Sequence, residues 1–121
     1  MNRPVPMGAV FFIARIGRGV AGKAEEVVNN FYFANGITFD KTEKYMYMSE
    51  SIMDRVLRFR VDVENGSVPE REVYRIVYVP DNLAIDRDNN LWIASFVGKH
   101  IMVVDYIWHT VHKVFQATSV S

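Results

Sequence analysis

The segment Asn35-Gly36-Ile37-Thr38-Phe39-Asp40 returns 46 residues later as Asp81-Asn82-Leu83-Ala84-Ile85-Asp86. Each copy leads into a second apolar run, Tyr45-Met46-Tyr47-Met48-Ser49 and then Leu91-Trp92-Ile93-Ala94-Ser95. A third run follows each, Arg55-Val56-Leu57-Arg58-Phe59 and then His100-Ile101-Met102-Val103-Val104. On this matching the spacing slips by one residue, only before the third run. Short strands recurring every 40–50 residues or so, with turn residues between them, are the pattern of a propeller blade. The expected fold is all-β, a partial β-propeller of four-stranded antiparallel blades. Residues 1–121 form one domain on this reading, with blade boundaries near 24–36 and 70–82.

Length limits how much of a ring is present. A closed propeller has about 4–8 blades, which at this period needs roughly 180 residues or more. The 121 residues supply two complete repeats and a flanking strand. Such a chain is a piece of a longer ring, or closes a ring by association, or folds as an open stack of sheets. End blades expose apolar faces and strand edges, so self-association through those edges is expected.

Fourteen basic and fourteen acidic residues balance to zero formal charge, which argues against a nucleic-acid partner or a polybasic membrane surface. Half the residues are apolar and 13% aromatic, a composition that buries a core rather than staying disordered. There is no cysteine, hence no disulfide and no thiolate metal site. No run approaches the roughly 18 apolar residues of a membrane span. The opening Met1-Asn2-Arg3-Pro4-Val5-Pro6 carries no apolar core of a secretory signal. These features name no compartment.

Residues 8–15 read as a strand, apolar on both faces. Gly17, Gly19 and Gly22 are spaced G-x-G-x-x-G, but a dinucleotide fingerprint needs a following helix. Residues 25–33 are rich in β-branched and aromatic side chains, so a hairpin turn into an outer strand over 27–33 is expected instead. Ala34-Asn35-Gly36 is a loop before an inner strand at 37–39, and 50–54 is a connecting loop. Over 55–62, Leu57, Phe59 and Val61 alternate with Arg58, Arg60 and Asp62, the pattern of a half-exposed strand. Asn65-Gly66 marks a hairpin, and 71–79 is the next outer strand. Pro80-Asp81-Asn82 repeats the loop before the innermost strand. Residues 111–115 form one further strand, and 117–121 are a frayed tail.

Asn35 and Asp81 occupy the same place in the repeat, just before the innermost strand. Innermost strands line a propeller's axis, so their leading loops converge there. Amide and carboxylate oxygens converging on an axis suit a hard cation such as calcium, which takes 6 to 8 oxygen ligands or so. The same residue types also serve simply as turn formers.

Residues 33–105 resemble the calcium-dependent six-bladed propellers of the paraoxonase/arylesterase family, the gluconolactonases (senescence marker protein) and strictosidine-synthase-like proteins. The stretches that carry the resemblance are Phe33-Ala34-Asn35-Gly36-Ile37-Thr38-Phe39, Tyr45-Met46-Tyr47-Met48-Ser49-Glu50, Pro80-Asp81-Asn82-Leu83-Ala84-Ile85-Asp86 and Asn90-Leu91-Trp92-Ile93-Ala94. The resemblance implies calcium ligation by Asn35 and Asp81, with Asn82 as a third ligand after the paraoxonase pattern. It implies a small-molecule ester or lactone substrate, whose carbonyl the calcium polarises. The family's other ligands, a Glu and an Asn, and the histidine pair assigned to acid–base work in paraoxonases, have no matching motif among the 34 residues before Asn35. The catalytic residues are therefore not assigned. A non-catalytic interaction or scaffold module, or a strictosidine-synthase-like protein, fits the same motifs.

Other constellations carry less. His109 and His112 stand three apart without a third ligand, in a segment whose Thr110 and Val111 disfavour a helix. His100 starts a strand at the surface. No Gly-x-Ser-x-Gly elbow is present. Glu50 is read as a loop carboxylate rather than a group beside the channel, and Trp92, Tyr45 and Tyr47 as packing between blades.

Overall fold

The computed structural model describes residues 8–15, 21–31, 33–62 and 67–116. The strands are β1 (Gly8–Arg15), β2 (Ala21–Phe31), β3 (Ala34–Phe39), β4 (Tyr45–Glu50), β5 (Arg55–Asp62), β6 (Ser67–Ile76), β7 (Leu83–Ile85), β8 (Leu91–Ser95), β9 (His100–Val104) and β10 (Val111–Gln116). They form an antiparallel pair, β1-β2, and two four-stranded sheets, β3-β4-β5-β6 and β7-β8-β9-β10. Each four-stranded sheet is an antiparallel meander in chain order, the architecture of a propeller blade. The innermost strands β3 and β7 lie side by side, and β2 runs beside β6. Among the described residues no helix is long and apolar enough to cross a membrane.

The first blade is buried on both faces. Met46, Met48, Leu57 and Phe59 pack with Phe31 of β2 on one side. Tyr47, Val56, Tyr74 and Val77 pack with Leu91, Ile93 and Val104 of the second blade on the other. A strand's period of two sends alternate residues of β4 to these two cores. Each large apolar side chain removed from water in this way contributes about 1.5–3 kcal/mol. The half-exposed reading of β5 is corrected here, since Val56 on its supposedly polar side is as buried as Leu57 and Phe59. Arg58 on that side lays its guanidinium 4.6 Å from the ring centre of Tyr45 and 4.9 Å from that of Tyr74, and pairs with Glu72. Stacking lets a charged side chain cover aromatic surface.

The repeat is real, but its slip lies earlier than the motifs suggested. Phe39 pairs with Met46, whereas Ile85 pairs with Leu91. The turn closes between Asp40 and Tyr45 in the first blade and between Asp86 and Asn90 in the second. Lys44 is thus an extra residue, and Tyr47 corresponds to Trp92, not to Ile93. Left-handed residues mark the same frame: Phe33 with Val79, Glu43 with Asn89, and Asp54 with Lys99 all have positive φ. The physical reason is burial, because Leu91 and Ile93 must face the first blade as Met46 and Met48 face β2.

Several boundaries also move. The outer strand placed at 27–33 is β2, which begins at Ala21 and ends at Phe31. It follows β1 as a hairpin partner, so no helix follows the glycines and the nucleotide reading fails. Gly17 and Gly19, the Asn65-Gly66 turn and the tail 117–121 lie outside the described residues. The strand placed at 71–79 is β6, over Ser67–Ile76. The loop at 50–54 begins with a strand residue, Glu50, and continues as a 3-10 turn over Ser51–Met53. Ala34, Asn35 and Gly36 belong to β3, with an irregular register between Ala34 and Ile37.

At Gly36 the two blades touch through backbone. A Cβ there would stand 2.4 Å from the Asp81 carbonyl oxygen and 2.9 Å from the Leu83 nitrogen. Only glycine permits that approach. Further out, the blades meet through an aromatic patch. Tyr47 and Tyr74 meet edge to face with centroids 5.1 Å apart, and the Tyr74 hydroxyl shares a 2.8 Å hydrogen bond with Nδ1 of His109. Burial, then the neighbouring Tyr74, pushes the Tyr47 hydroxyl up to about 12. Burial, then the charges of Arg58 and Arg75, holds the His109 imidazole below its usual range.

Two outcomes follow from these contacts. Gly36→Ala is expected to lower unfolding stability by about 1–3 kcal/mol, read as a reduced urea midpoint, because backbone must move to admit the methyl. His109 binds its proton less readily folded than unfolded, so its contribution is complete above the unfolded value of about 6.5 and declines as pH falls below it. The urea midpoint of the wild type is therefore expected to drop more than that of His109→Gln between about pH 7.5 and about pH 5.

Candidate functional site

β3 and β7 each begin their regular pairing at one residue, Ile37 opposite Met48 and Leu83 opposite Ile93. Asn35 and Asp81 each stand two residues before that point, so the structure gives them equivalent positions. The close approach at Gly36 brings the two segments together at the same end of the blades. Asn35 is exposed, Asp81 half-buried and Asn82 exposed. The second segment is pinned before β7 begins: the Asp81 N–H donates to the Ala94 carbonyl at 2.8 Å, and the Ala94 N–H donates to the Asn82 carbonyl at 3.0 Å.

Ser49 of β4 and Ser51 of the turn after it tie the segments together. The Gly36 N–H donates to Ser49 Oγ at 2.6 Å, and Ser49 Oγ donates to the Asp81 carbonyl at 2.5 Å. Ser51 Oγ donates to the Pro80 carbonyl at 2.6 Å and accepts a long contact, 3.4 Å, from Asn35 Nδ2. The motif reading missed both serines. The sequence signal for them is a pair of small hydroxyls flanking Glu50, where the apolar run of β4 gives way to the turn after it. Between them, Glu50 is fully buried and ion-paired at 2.5 Å with Nε of Arg55. Its reading as an ordinary loop carboxylate is corrected: it ends β4 and pairs across to Ala34 in β3. Burying a carboxylate requires such a partner.

The left-handed backbone at Phe33 and Val79 leads into each segment. For a β-branched residue this conformation is strained, and strain of this kind persists only where surrounding contacts hold it. At Val79 the holding contact is its N–H donating to Asp54 Oδ1 at 2.8 Å.

The other ionisable groups are engaged elsewhere. Asp86 accepts from the N–H groups of Asp88 and Asn90 and, at 2.8 Å, from Trp92 Nε1. Burial works against its charge, but these bonds outweigh it and lower its titration. His109 and His112 turn to different partners, Tyr74 and Asp105, and so do not form a shared site. His100 starts β9, half-buried, with Nδ1 near the Gly98 carbonyl. Tyr47 lies in the core between the blades and Tyr45 packs against it. Trp92 stacks on Phe115 across the far face of the second blade. Among the described residues no three of His, Cys, Asp and Glu gather closely enough to hold a metal. The donors at the mouth of the innermost strands are amide and carboxylate oxygens, a chemistry that fits part of a calcium shell and not a zinc site.

Comparison with known proteins agrees with this architecture. The SMP-30/gluconolactonase/LRE-like region family matches residues 6–114. Lactonase drp35 of Staphylococcus aureus is 26% identical over 103 residues, covering 81% of this chain and 31% of its own. Regucalcin of Danio rerio is 28% identical over 86 residues, covering 65% of this chain and 29% of its own. The crystal structure of regucalcin from Agrobacterium tumefaciens, described as a calcium-binding protein, superposes with a TM-score of 0.75 at 16% identity. It covers 93% of this chain and 37% of that one, and at this identity the likeness speaks for the fold alone. The chain therefore spans about a third of the length of the relatives it matches. Of the groups that the motifs resemble, the gluconolactonase one is matched: the chain is a partial β-propeller that belongs to the SMP-30/gluconolactonase/LRE-like family.

Proposed function

We propose that this chain, taken as one propeller segment over residues 1–121, contributes part of a calcium site to a lactone- or ester-hydrolysing centre. Asn35, Asp81 and Asn82 would hold the cation through their side-chain oxygens. The observation that carries this reading is the equivalence of Asn35 and Asp81, met at one end of two blades whose backbones touch at Gly36. The lactonase names of relatives support the substrate class. Regucalcin relatives and a calcium-binding neighbour support the metal.

Calcium bound there would supply a Lewis acid for the carbonyl of a lactone or aryl ester. The chain's own residues orient and hold: the Asp81 carboxylate provides charge, the two asparagines provide neutral oxygens. Three residues fall short of the 6 to 8 or so oxygens that calcium takes, so binding by this chain alone is expected to be weak.

Calcium-dependent melting tests the proposal. A ligand at about tenfold its Kd stabilises the native state by about 1.4 kcal/mol. The melting temperature is expected to rise across a millimolar calcium titration, and Asp81→Ala to abolish the rise. Hydrolysis of a simple lactone and of phenyl acetate, with and without chelator, then reads the activity. No shift in the wild type would instead favour a non-catalytic propeller module.

A further inference from the structure

We infer that Ser51 and Ser49 are positioning residues for the Asn35–Asp81 pair, with Ser51 selecting which end of the Asn35 amide faces a cation. The inference rests on the calcium reading above and gives a role to two serines that the motifs leave without one.

A serine hydroxyl has one proton to donate and two lone pairs to accept with. Ser51 is buried, and its proton is committed to the Pro80 carbonyl at 2.6 Å. Toward Asn35 it can then only accept. It takes the amide NH2, as observed, and rejects the amide carbonyl. An asparagine free to flip presents nitrogen or oxygen outward with nearly equal ease. Held at its nitrogen, Asn35 turns Oδ1 away from Ser51, leaving the oxygen as its outward group.

Ser49 does the parallel work on the backbone. Its hydroxyl accepts from the Gly36 N–H and donates to the Asp81 carbonyl. The two serines thus make two rungs, one joining residues 36 and 81, the other 35 and 80. Each rung crosses from one blade to the next, so the spacing of the two candidate ligands is set by hydroxyls of β4 and the turn after it. The second blade carries Ala94 and Phe96 at the corresponding places, given the one-residue slip before β8. The rungs are therefore particular to this junction and are not a general device of the blade.

A double-mutant cycle on calcium affinity tests the inference, using the full chain and calcium alone. Ser51→Ala is expected to weaken calcium binding by about tenfold, and Ser51→Thr, which keeps the hydroxyl, to stay within about twofold of wild type. Asn35→Asp offers two equivalent oxygens and has no wrong end. In that background Ser51→Ala is expected to change affinity by less than about twofold, a non-additivity that a merely structural serine would not produce. A second readout needs neither variant nor metal. In the calcium-free wild type, the Asn35 side-chain NH2 protons are expected to exchange with water more slowly than those of exposed Asn82. Equal calcium affinity in wild type and Ser51→Ala overturns the orienting role, as does an equal loss in both backgrounds, or Asn35 NH2 exchange as fast as that of Asn82. A wild-type chain that binds no calcium overturns the calcium reading itself, and slow Asn35 exchange in that same chain would locate the fault there and not in the hydrogen bond.

Discussion

Everything at the mouth of the two innermost strands depends on one close approach, that of Gly36 to the backbone of residues 81–83. Side chains at that point would separate the blades by the width of a methyl group or more. Their absence brings main chain onto main chain, within range of single hydroxyl bridges. Ser49 and Ser51 could not span a wider gap. Sterics at one residue therefore sets the distance scale on which any polar chemistry here operates.

Behind that contact the blades divide their labour by depth. Near the axis the junction is polar and made by backbone and serines. Midway it is apolar, with Tyr47, Val56, Val77, Leu91, Ile93 and Val104. Toward the periphery it is aromatic and cationic, with Tyr74, Arg58 and His109. Bridging hydroxyls satisfy the backbone groups that such close contact would otherwise leave without partners, and that is the condition for polar groups to be buried at all. The buried Glu50–Arg55 pair obeys the same condition beside β3.

The strand count and the equivalence of Asn35 with Asp81 were legible because periodicity and turn residues are local signals. The matching of Tyr47 was not. Aligned by the apolar run, it meets Ile93; aligned by the sheet, it meets Trp92. Both residues are apolar, so the string cannot tell which face each occupies, and one extra residue, Lys44, inverts the answer. Arg58 misled for a related reason: an arginine within an alternating strand reads as solvent-facing, and only the positions of Tyr45 and Tyr74 turn it into packing. Of the candidate site, the matching positions of Asn35 and Asp81 were readable, while the bonds of Ser49 and Ser51 were not, because they reach a segment about thirty residues away.

The two tryptophans sit in opposite surroundings. Trp92 lies flat against Phe115 and donates its indole N–H to Asp86, while Trp108 is 77% exposed at the tip of the turn that carries His109. Emission from a shielded, hydrogen-bonded indole differs in colour and in access to quenchers from that of an indole in water. The chain therefore contains its own pair of optical probes, one sensing the integrity of the second sheet and the other anything that settles on the rim between the blades.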